Sequence, residues 1–223
     1  MSCHLRLSLK GFAVGRIKLG PFDSQYLEQA RAWRNNPIIN RWCRQNDYIS
    51  DMDQSAWFRS QATDPKIKMY AVKLGNLLVG VAGLTSIDTY NRKAEFSLYI
   101  GPEHQGKGFA KEALAELLDH GFSSLGLNLI WGETFQGNMA CHLFQSLGFR
   151  QTGFMPKSYW KDGKFINSYF YAMLKEDWLG QVPNTNTDLV DADGVVCEHL
   201  YGSDAALPDS QAPRAGLNVP KSP

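Results

Sequence analysis

A glycine-rich segment in the middle of the chain has the residue types and spacing of a phosphate-binding loop. It covers residues 105–108 (QGKG), and an amphipathic run of residues follows it directly. The first amide groups of a helix have no partner within the helix, and together with the helix dipole they attract anions. Glycine at the helix entry lets a phosphate approach the backbone closely. The segment therefore predicts a site for a pyrophosphate or a similar anion.

Two other phosphate-binding motifs fit the same segment less well. Residues 101–107 have the G-x-x-x-x-G-K spacing of a nucleoside-triphosphate loop, but such a loop continues with Ser or Thr for the magnesium ion. Gly108 stands at that position. The dinucleotide pattern G-x-G-x-x-G fails because no third glycine follows Gly106 and Gly108 at the required distance. ATP hydrolysis and dinucleotide binding are therefore disfavoured.

The hydrophobic pattern around the segment predicts a strand-loop-helix unit. Residues 94–100 (AEFSLYI) form the strand, and residues 109–122 carry apolar side chains at the three-and-four spacing of one helix face. Residues 127–135 (LNLIWGETF) predict the next strand, and a short helix over residues 140–147 ends at a glycine. The loop is thus placed between a strand and the start of a helix, where an anion site requires it.

The flanking segments predict an α/β domain around this unit. Two helices come first, one over residues 26–36 and one capped by Ser50 or Asp51. A hairpin over residues 69–84 precedes the unit, and another over residues 159–174 closes the chain. This order predicts a mixed sheet with helices on both faces.

The composition is that of an ordinary soluble globular protein, with 43% hydrophobic and 20% charged residues. Neither the four cysteines nor the five histidines have metal-ligand spacing, so we expect a reduced compartment and no metal site. Lysine and arginine are not clustered as nucleic-acid binding requires, and no segment resembles a signal peptide or a membrane span. We therefore expect a cytoplasmic protein that binds neither nucleic acid nor membrane.

The end of the chain differs in composition from the rest. Residues 180–223 are rich in Pro, Asp, Asn and Ser, and they contain six acidic but only two basic residues. Such a composition without a sustained hydrophobic period is typical of a disordered tail. We predict one domain over residues 1–179, followed by an acidic, disordered tail over residues 180–223.

The glycine-rich segment and its surroundings resemble the GNAT superfamily of N-acetyltransferases. Residues 105–110 are similar to the Q/R-x-x-G-x-G/A signature that binds the coenzyme A pyrophosphate in that family. The segments AEFSLYIGP, IWGETFQGN and LFQSLGF resemble its neighbouring strands and helix, and the resemblance covers about residues 12–178. It implies a GNAT-type, mostly antiparallel sheet and acetyl-CoA as co-substrate. The signature residues are Gln105, Gly106, Lys107, Gly108, Phe109 and Ala110.

The resemblance also implies roles in the reaction. An attacking amine must be neutral, yet an amine with a pKa of about 7.7–8.0 or higher is largely protonated at neutral pH, so a base is needed. Glu133 matches the general base of the family branch that acetylates protein N-termini, and Glu95 is the second candidate. Backbone amides ahead of the loop are implied to bind the coenzyme and to stabilise negative charge on the thioester oxygen. They belong to Leu98, Tyr99 and Ile100.

At two positions the sequence departs from the family pattern. The tyrosine that commonly protonates the departing thiolate is replaced by Phe144. A thiol with a pKa of about 8.5 still leaves near neutral pH, and Tyr159, Tyr99 or water could supply the proton. Residues 138–148 are one residue fewer than usual, which weakens the assignment of Asn138 as a coenzyme contact.

Two branches of the family share further segments with this chain. ARAWRNNPIINRW and KSYWKDGKF resemble enzymes that acetylate nucleotide-linked 4-amino sugars, and also enzymes that acetylate protein N-termini. Residues 33–35 (WRN) and the YWKDGKF hairpin favour the amino sugar as acceptor, with the protein N-terminus as the alternative. A non-catalytic coenzyme A binding or interaction module is the alternative of another class, suggested by Phe144 and the acidic tail. A homodimer is left open.

Overall fold

The computed structural model describes residues 16–180, so the predicted tail lies, apart from its first residue, outside the described residues. Within them, seven strands form one sheet in the order β1-β2-β3-β4-β5-β7-β6. The strands are β1 (Ile17–Pro21), β2 (Lys68–Leu74), β3 (Leu77–Asp88), β4 (Lys93–Ile100), β5 (Leu129–Phe135), β6 (Arg150–Lys161) and β7 (Lys164–Leu174). The helices are α1 (Leu27–Asn35), α2 (Pro37–Asn40), α3 (Asp51–Thr63), α4 (Phe109–Asp119), α5 (Ala140–Leu147) and α6 (Lys175–Leu179).

The sheet is mixed and mostly antiparallel, because every neighbouring pair of strands is antiparallel except β4 and β5. Helices α4 and α5 pack on one face, around a core that includes Leu114, Leu117 and Phe122. Helices α1, α2 and α3 pack on the other face, around Trp33 and Ile39. The predicted fold class, with helices on both faces, is confirmed.

Turn chemistry explains the β6-β7 hairpin that the sequence predicts. Asp162 and Gly163 both have positive φ angles, of 49° and 77°, as a two-residue hairpin turn of the primed type requires. Strand β6 nevertheless begins at Arg150, well before the predicted start at Tyr159. Its register shifts twice, between residues 151 and 153 and between 155 and 159. These irregularities break the alternation of apolar and polar residues, so the hydrophobic pattern did not predict the first part of the strand.

The helix after the glycine-rich loop is shorter than the predicted range of 109–122. α4 ends at Asp119, and a π-helical turn over His120–Ser124 continues the chain. In this turn the Leu125 amide donates to the His120 carbonyl at 3.2 Å, a five-residue step. The turn buries Phe122 completely, so the residue keeps the core position that its spacing indicated.

The parallel pair in the centre of the sheet opens into a cleft. β4 and β5 are paired only at Lys93 with Leu129, Ala94 with Ile130, and Glu95 with Trp131, although both strands are described in full. Beyond these pairs β4 continues beside β3, and β5 continues beside β7. We call the opening between residues 96–100 of β4 and 132–135 of β5 the cleft. It leads from the middle of the sheet to the glycine-rich loop.

Candidate active site

Alternate backbone amides of β4 face the cleft. The Gly101 amide donates to the Val79 carbonyl at 2.9 Å, and this register makes Tyr99 and Val81 the next hydrogen-bonded pair. The amides of Leu98 and Ile100 therefore point away from β3 and toward the cleft. Of the three amides named from the sequence, two lie on the cleft side and that of Tyr99 is directed at β3.

The glycine-rich loop leaves the start of α4 open. Gly108 is the N-cap of α4, with a φ of 81°, and Gly106 has a φ of 74°, so both positions favour glycine. A Cβ atom added at either glycine would meet no atom within 4 Å. Among the described residues no side chain caps the helix, so its first amides face open space. This geometry fits an anion such as a pyrophosphate.

The other loop residues hold the loop in shape. The Gln105 side-chain amide donates to the Ile100 carbonyl at 3.0 Å, and Lys107 Nζ donates to the Glu103 carbonyl at 2.9 Å. Arg16 Nη2 donates to the Lys107 carbonyl at 3.1 Å. Phe109 is buried and Ala110 packs against the same core. Arg16 was not identified from the sequence, because it precedes β1 and is distant from the loop along the chain.

Two further positions from the sequence analysis lie on or beside α5. Asn138 Oδ1 accepts a hydrogen bond from the Ala140 amide at 3.0 Å, so this side chain helps to begin the helix. Phe144, which replaces the usual tyrosine, is buried, with its ring centroid 5.1 Å from that of Phe96 and 5.4 Å from that of Tyr171. Phe144 thus fills the core next to the cleft and carries no polar group there.

The two predicted carboxylates converge near the closed end of the cleft. Glu95 is opposite Trp131 in the last pair that joins β4 and β5, and Glu133 follows two residues later, on the same face as Trp131. Their side chains are only 9% and 5% exposed. The guanidinium of Arg44 contacts both: Nη2 pairs with Glu95, and Nη1 lies 3.5 Å from Glu133 Oε2. The fold therefore brings two buried carboxylates and one cation together.

Tyr159 joins the same cluster from β6. Its hydroxyl donates to Glu133 Oε2 at 2.8 Å, and its ring packs on Phe135 with the centroids 4.8 Å apart. Burial, followed by the hydrogen bond to Glu133, raises the pKa of Tyr159. Burial is also the main cause that raises the pKa of Glu95; the charge of Glu133 adds to the effect and Arg44 opposes it. All three residues predicted to be catalytic thus belong to one cluster.

The loop that carries Arg44 is anchored by two further cations. This loop, residues 41–49, connects α2 to the N-cap of α3. Lys161 is buried and donates from Nζ to the Cys43 carbonyl and to Asn46 Oδ1. Arg34 Nη1 donates to Cys43 Sγ at 2.9 Å. Within residues 16–180, neither Lys161 nor Arg34 has a carboxylate at ion-pair distance.

Only two of these three cations lie in segments that the sequence singled out. Arg34 lies in the WRN segment and Lys161 in the YWKDGKF hairpin, both of which indicated the acceptor side. Arg44 was missed, because it sits in a polar loop without periodicity and its partners come from strands far along the chain. Only the folded loop shows that its guanidinium reaches Glu95 and Glu133.

The family model of the acetyltransferase (GNAT) domain matches residues 16–150, more than half of the chain. The chain belongs to the GNAT acetyltransferase family. The protein is accordingly an N-acetyltransferase that uses acetyl-CoA as co-substrate. In this GNAT acetyltransferase the β4-β5 cleft and the open start of α4 are the features that fit the coenzyme.

Several known proteins are similar to this acetyltransferase. Spermidine N(1)-acetyltransferase of Escherichia coli (strain K12) is 25% identical over 166 residues, which cover 74% of this chain and 89% of that protein. L-amino acid N-acyltransferase MnaT of the same organism is 30% identical over 147 residues, covering 64% of this chain and 85% of MnaT. A crystal structure of spermidine N-acetyltransferase from Vibrio cholerae with CoA and spermine has a TM-score of 0.71 and 26% identity, covering 74% of this chain and 98% of that chain.

Membrane-spanning helices and metal-binding groups are both absent from the described part of the acetyltransferase. Between residues 16 and 180, no helix is both long enough and apolar enough to cross a membrane. The same residues contain no group of three or more His, Cys, Asp or Glu side chains arranged to hold a metal ion.

Proposed function

We propose that this acetyltransferase acts on the primary amine of a small molecule that also carries an anionic group, and that a nucleotide-linked amino sugar is the first acceptor to test. The observation that carries the proposal is the cluster on the acceptor side of the cleft. There, two carboxylates suited to deprotonate an amine lie beside cations suited to bind an anion. No metal takes part in the proposed reaction.

The coenzyme is proposed to bind along the cleft and at the start of α4. Its pyrophosphate would be held by the amides of residues 105–110, which the positive φ angles of Gly106 and Gly108 keep open to solvent. The amides of Leu98 and Ile100 would bind the arm of the coenzyme from the cleft side. Asn138 remains a candidate contact through its side-chain nitrogen, since its oxygen accepts a hydrogen bond from the Ala140 amide. When bound, acetyl-CoA supplies the activated acetyl thioester.

Deprotonation of the amine is assigned to the carboxylate pair, with Glu133 as the base and Glu95 as the second candidate. Both side chains are withdrawn from solvent, and Arg44 stabilises their negative charge. Tyr159 is held by Glu133 with its proton directed at the carboxylate. It is therefore proposed to move a proton within the cluster. Tyr159 was one of three candidates, with Tyr99 and water, to replace the tyrosine that is missing at Phe144.

The anionic group of the acceptor is inferred from the charges around the cluster. Arg34 and Lys161 lack a carboxylate at ion-pair distance in the described part of the chain, and burial is the main cause that lowers the pKa of Lys161. Lys161 is buried and Arg34 half-buried, and a cation withdrawn from water without a carboxylate at ion-pair distance is unfavourable. A phosphate or carboxylate on the acceptor would compensate them. This supports an amino sugar carried by a nucleotide over an acceptor that is purely cationic.

The decisive experiment is thiol release from acetyl-CoA with a panel of acceptors. The panel contains UDP-linked amino sugars, L-amino acids, peptides with free N-termini and spermidine. Release with the amino sugars, and little with the others, supports the proposal in full. Release with amino acids alone keeps the anionic acceptor and removes the sugar. If no acceptor releases thiol although acetyl-CoA binds, the reading as a non-catalytic coenzyme A binding module replaces the proposal.

Two other acceptors have specific support and are decided by the same panel. A protein N-terminus is favoured by Glu133, which matches the base of that branch of the family, and release with peptides would select it. A polyamine is favoured by the names of the relatives from Escherichia coli and Vibrio cholerae. Release with spermidine at the rate of the best acceptor would show that the cations of the cluster do not govern the choice.

A further inference from the structure

The guanidinium of Arg44 occupies the position at which an acceptor cation would be most favourable. Its Nη2 pairs with Glu95 and its Nη1 lies 3.5 Å from Glu133 Oε2, and both carboxylates are almost withdrawn from solvent. Two buried carboxylates side by side repel each other, and a cation between them relieves that repulsion. In this protein the chain itself provides the cation.

Arg44 is exposed on its outer side and fixed on its inner side. Its side chain is 49% exposed, so it lies at the entrance of the cluster and not beneath it. The loop on either side is tied down: Lys161 binds Cys43 and Asn46, and Arg34 binds Cys43. The end of the loop is held as well, because the Asn35 side chain exchanges hydrogen bonds of 2.8 Å and 2.9 Å with the backbone of Ile49. The guanidinium is thereby kept over the carboxylates.

A polycationic acceptor would meet three obstacles in this arrangement. To pair its ammonium groups with the carboxylates, it would have to displace the Arg44 guanidinium from both, since their side chains offer little other accessible surface. It would bring its remaining charges near Arg34 and Lys161, and like charges brought together without solvent are strongly unfavourable. It would also leave the displaced guanidinium at the same entrance. An acceptor with one amine and an anionic group would instead pair that anion with the cations.

We propose that Arg44 determines acceptor specificity: as a built-in counter-ion of Glu95 and Glu133, it excludes polyamines and admits amines that carry an anionic group. The inference rests on the proposed function, because it concerns the same site. It adds the residue responsible and the class of acceptor that is rejected. Specificity of this kind comes from a repulsive element directed against the wrong ligand.

The test compares Arg44→Gln with Arg41→Gln, a matched control in the same loop. Arg41 stacks on the Trp42 ring, 5.2 Å from its centroid, and among the described residues forms no ion pair. Both variants lose one positive charge, but only the first uncovers the carboxylates. Spermidine binding to the coenzyme A complex is measured by calorimetry at about pH 8, where carboxylates are ionised and polyamines are still largely charged. Circular dichroism and coenzyme A affinity establish that each variant is folded.

We expect Arg44→Gln to tighten spermidine binding by about tenfold or more, whereas Arg41→Gln changes it by less than about twofold. Arg44→Lys, which keeps a charge at the entrance, should remain close to the wild type and serves as the second variant if the glutamine variant does not fold. The inference is overturned if spermidine binds Arg44→Gln no better than the wild type, or if the wild type already binds it as tightly as an anionic acceptor.

The binding measurement separates this inference from the proposed function. If the wild type releases no thiol with any acceptor, the proposed function fails, and the change in spermidine affinity still decides the role of Arg44. If the wild type acetylates anionic acceptors, the ratio of kcat/KM for spermidine to that for the best acceptor should rise by about tenfold in Arg44→Gln. An unchanged ratio contradicts the role of Arg44 and leaves the proposed function in place.

Discussion

Glu133 and Glu95 share one guanidinium but differ in their other contacts. Glu133 Oε2 also accepts the Tyr159 hydroxyl at 2.8 Å, whereas burial raises the pKa of Glu95 against the opposing influence of Arg44. A base that takes a proton from an ammonium group works best when its pKa lies closer to neutrality than that of an ordinary carboxylate. Substitutions at the two positions therefore distinguish the base from its neighbour.

Replacement of Glu133 by glutamine tests the assignment of the base. Glutamine keeps the size of the side chain and can still accept the Tyr159 hydroxyl, so the cluster should stay in shape. We expect kcat at saturating acetyl-CoA to fall by about 10²-fold or more, while the affinity for acetyl-CoA is unchanged. Glu95→Gln serves as the comparison. A kcat for Glu133→Gln that equals the wild type from about pH 6 to about 9 would assign the proton transfer elsewhere.

The acidic side of the pH profile should depend on Arg44. Because burial raises the pKa of Glu95, that carboxyl becomes protonated at a higher pH than an ordinary one as the pH falls. Arg44 lowers this pKa, so Arg44→Gln raises it further and should move the acidic limb of kcat/KM to higher pH. The profile of Arg41→Gln is the reference. If the acidic limb of the kcat/KM profile of Arg44→Gln stays in place or moves to lower pH, a functional link between Arg44 and the carboxylates is contradicted.

The start of α4 is the element on which coenzyme binding is proposed to depend. Gly108 has a φ of 81°, and a side chain in this left-handed region costs about 1–2 kcal/mol. Gly108→Ala should therefore shift the loop and raise KM for acetyl-CoA by about tenfold with little change in kcat. Gly163→Ala is the control, because Gly163 has a similar φ of 77° and equally open surroundings but lies at the β6-β7 turn. Equal KM values in the two variants would contradict the assignment.

The elements of the fold differ in how far their sequences predicted them. α4 and the central strands have strong periodicity, and glycine-containing turns mark both hairpins, so these could be predicted. The first half of β6 could not, since its register shifts twice. The same contrast applies to the site: Glu133 followed from the family resemblance, Glu95 was its alternative, and Tyr159 was a candidate because Phe144 departs from the family pattern. Arg44 depends on the path of the 41–49 loop, which cations from α1 and β6 fix only after folding.

At the level of the whole chain, the last described helix, α6, is packed against the rest of the domain. Trp178 of α6 is buried and donates from Nε1 to Asp119 Oδ1 at 2.7 Å, and Arg150 pairs with Asp177 at 2.7 Å. These contacts tie the last helix to α4 and β6. They support the proposal that residues 1–179 form the catalytic domain and that residues 180–223 are an appendage.

Removal of residues 181–223 tests this division of the chain. The shortened protein keeps α6 and its contacts, so we expect it to fold with an unchanged Tm and a kcat/KM within about twofold of the full chain. A second truncation after Leu174 also removes Trp178 and should lower the Tm markedly, because burial of a large aromatic side chain is lost. Loss of activity in the first truncation alone would assign a catalytic or binding role to the tail.

The cleft in the middle of the sheet also links the proposed coenzyme site to the stability of the fold. Only three residue pairs join β4 to β5, so the two halves of the sheet share few main-chain bonds where a ligand is expected to lie. A ligand that binds only the folded state adds stability as its concentration rises, about 2.7 kcal/mol at a hundredfold excess over its Kd. Resistance to heat and proteases should then follow the supply of acetyl-CoA. The lifetime of the enzyme in the cell would then depend on the concentration of its own co-substrate.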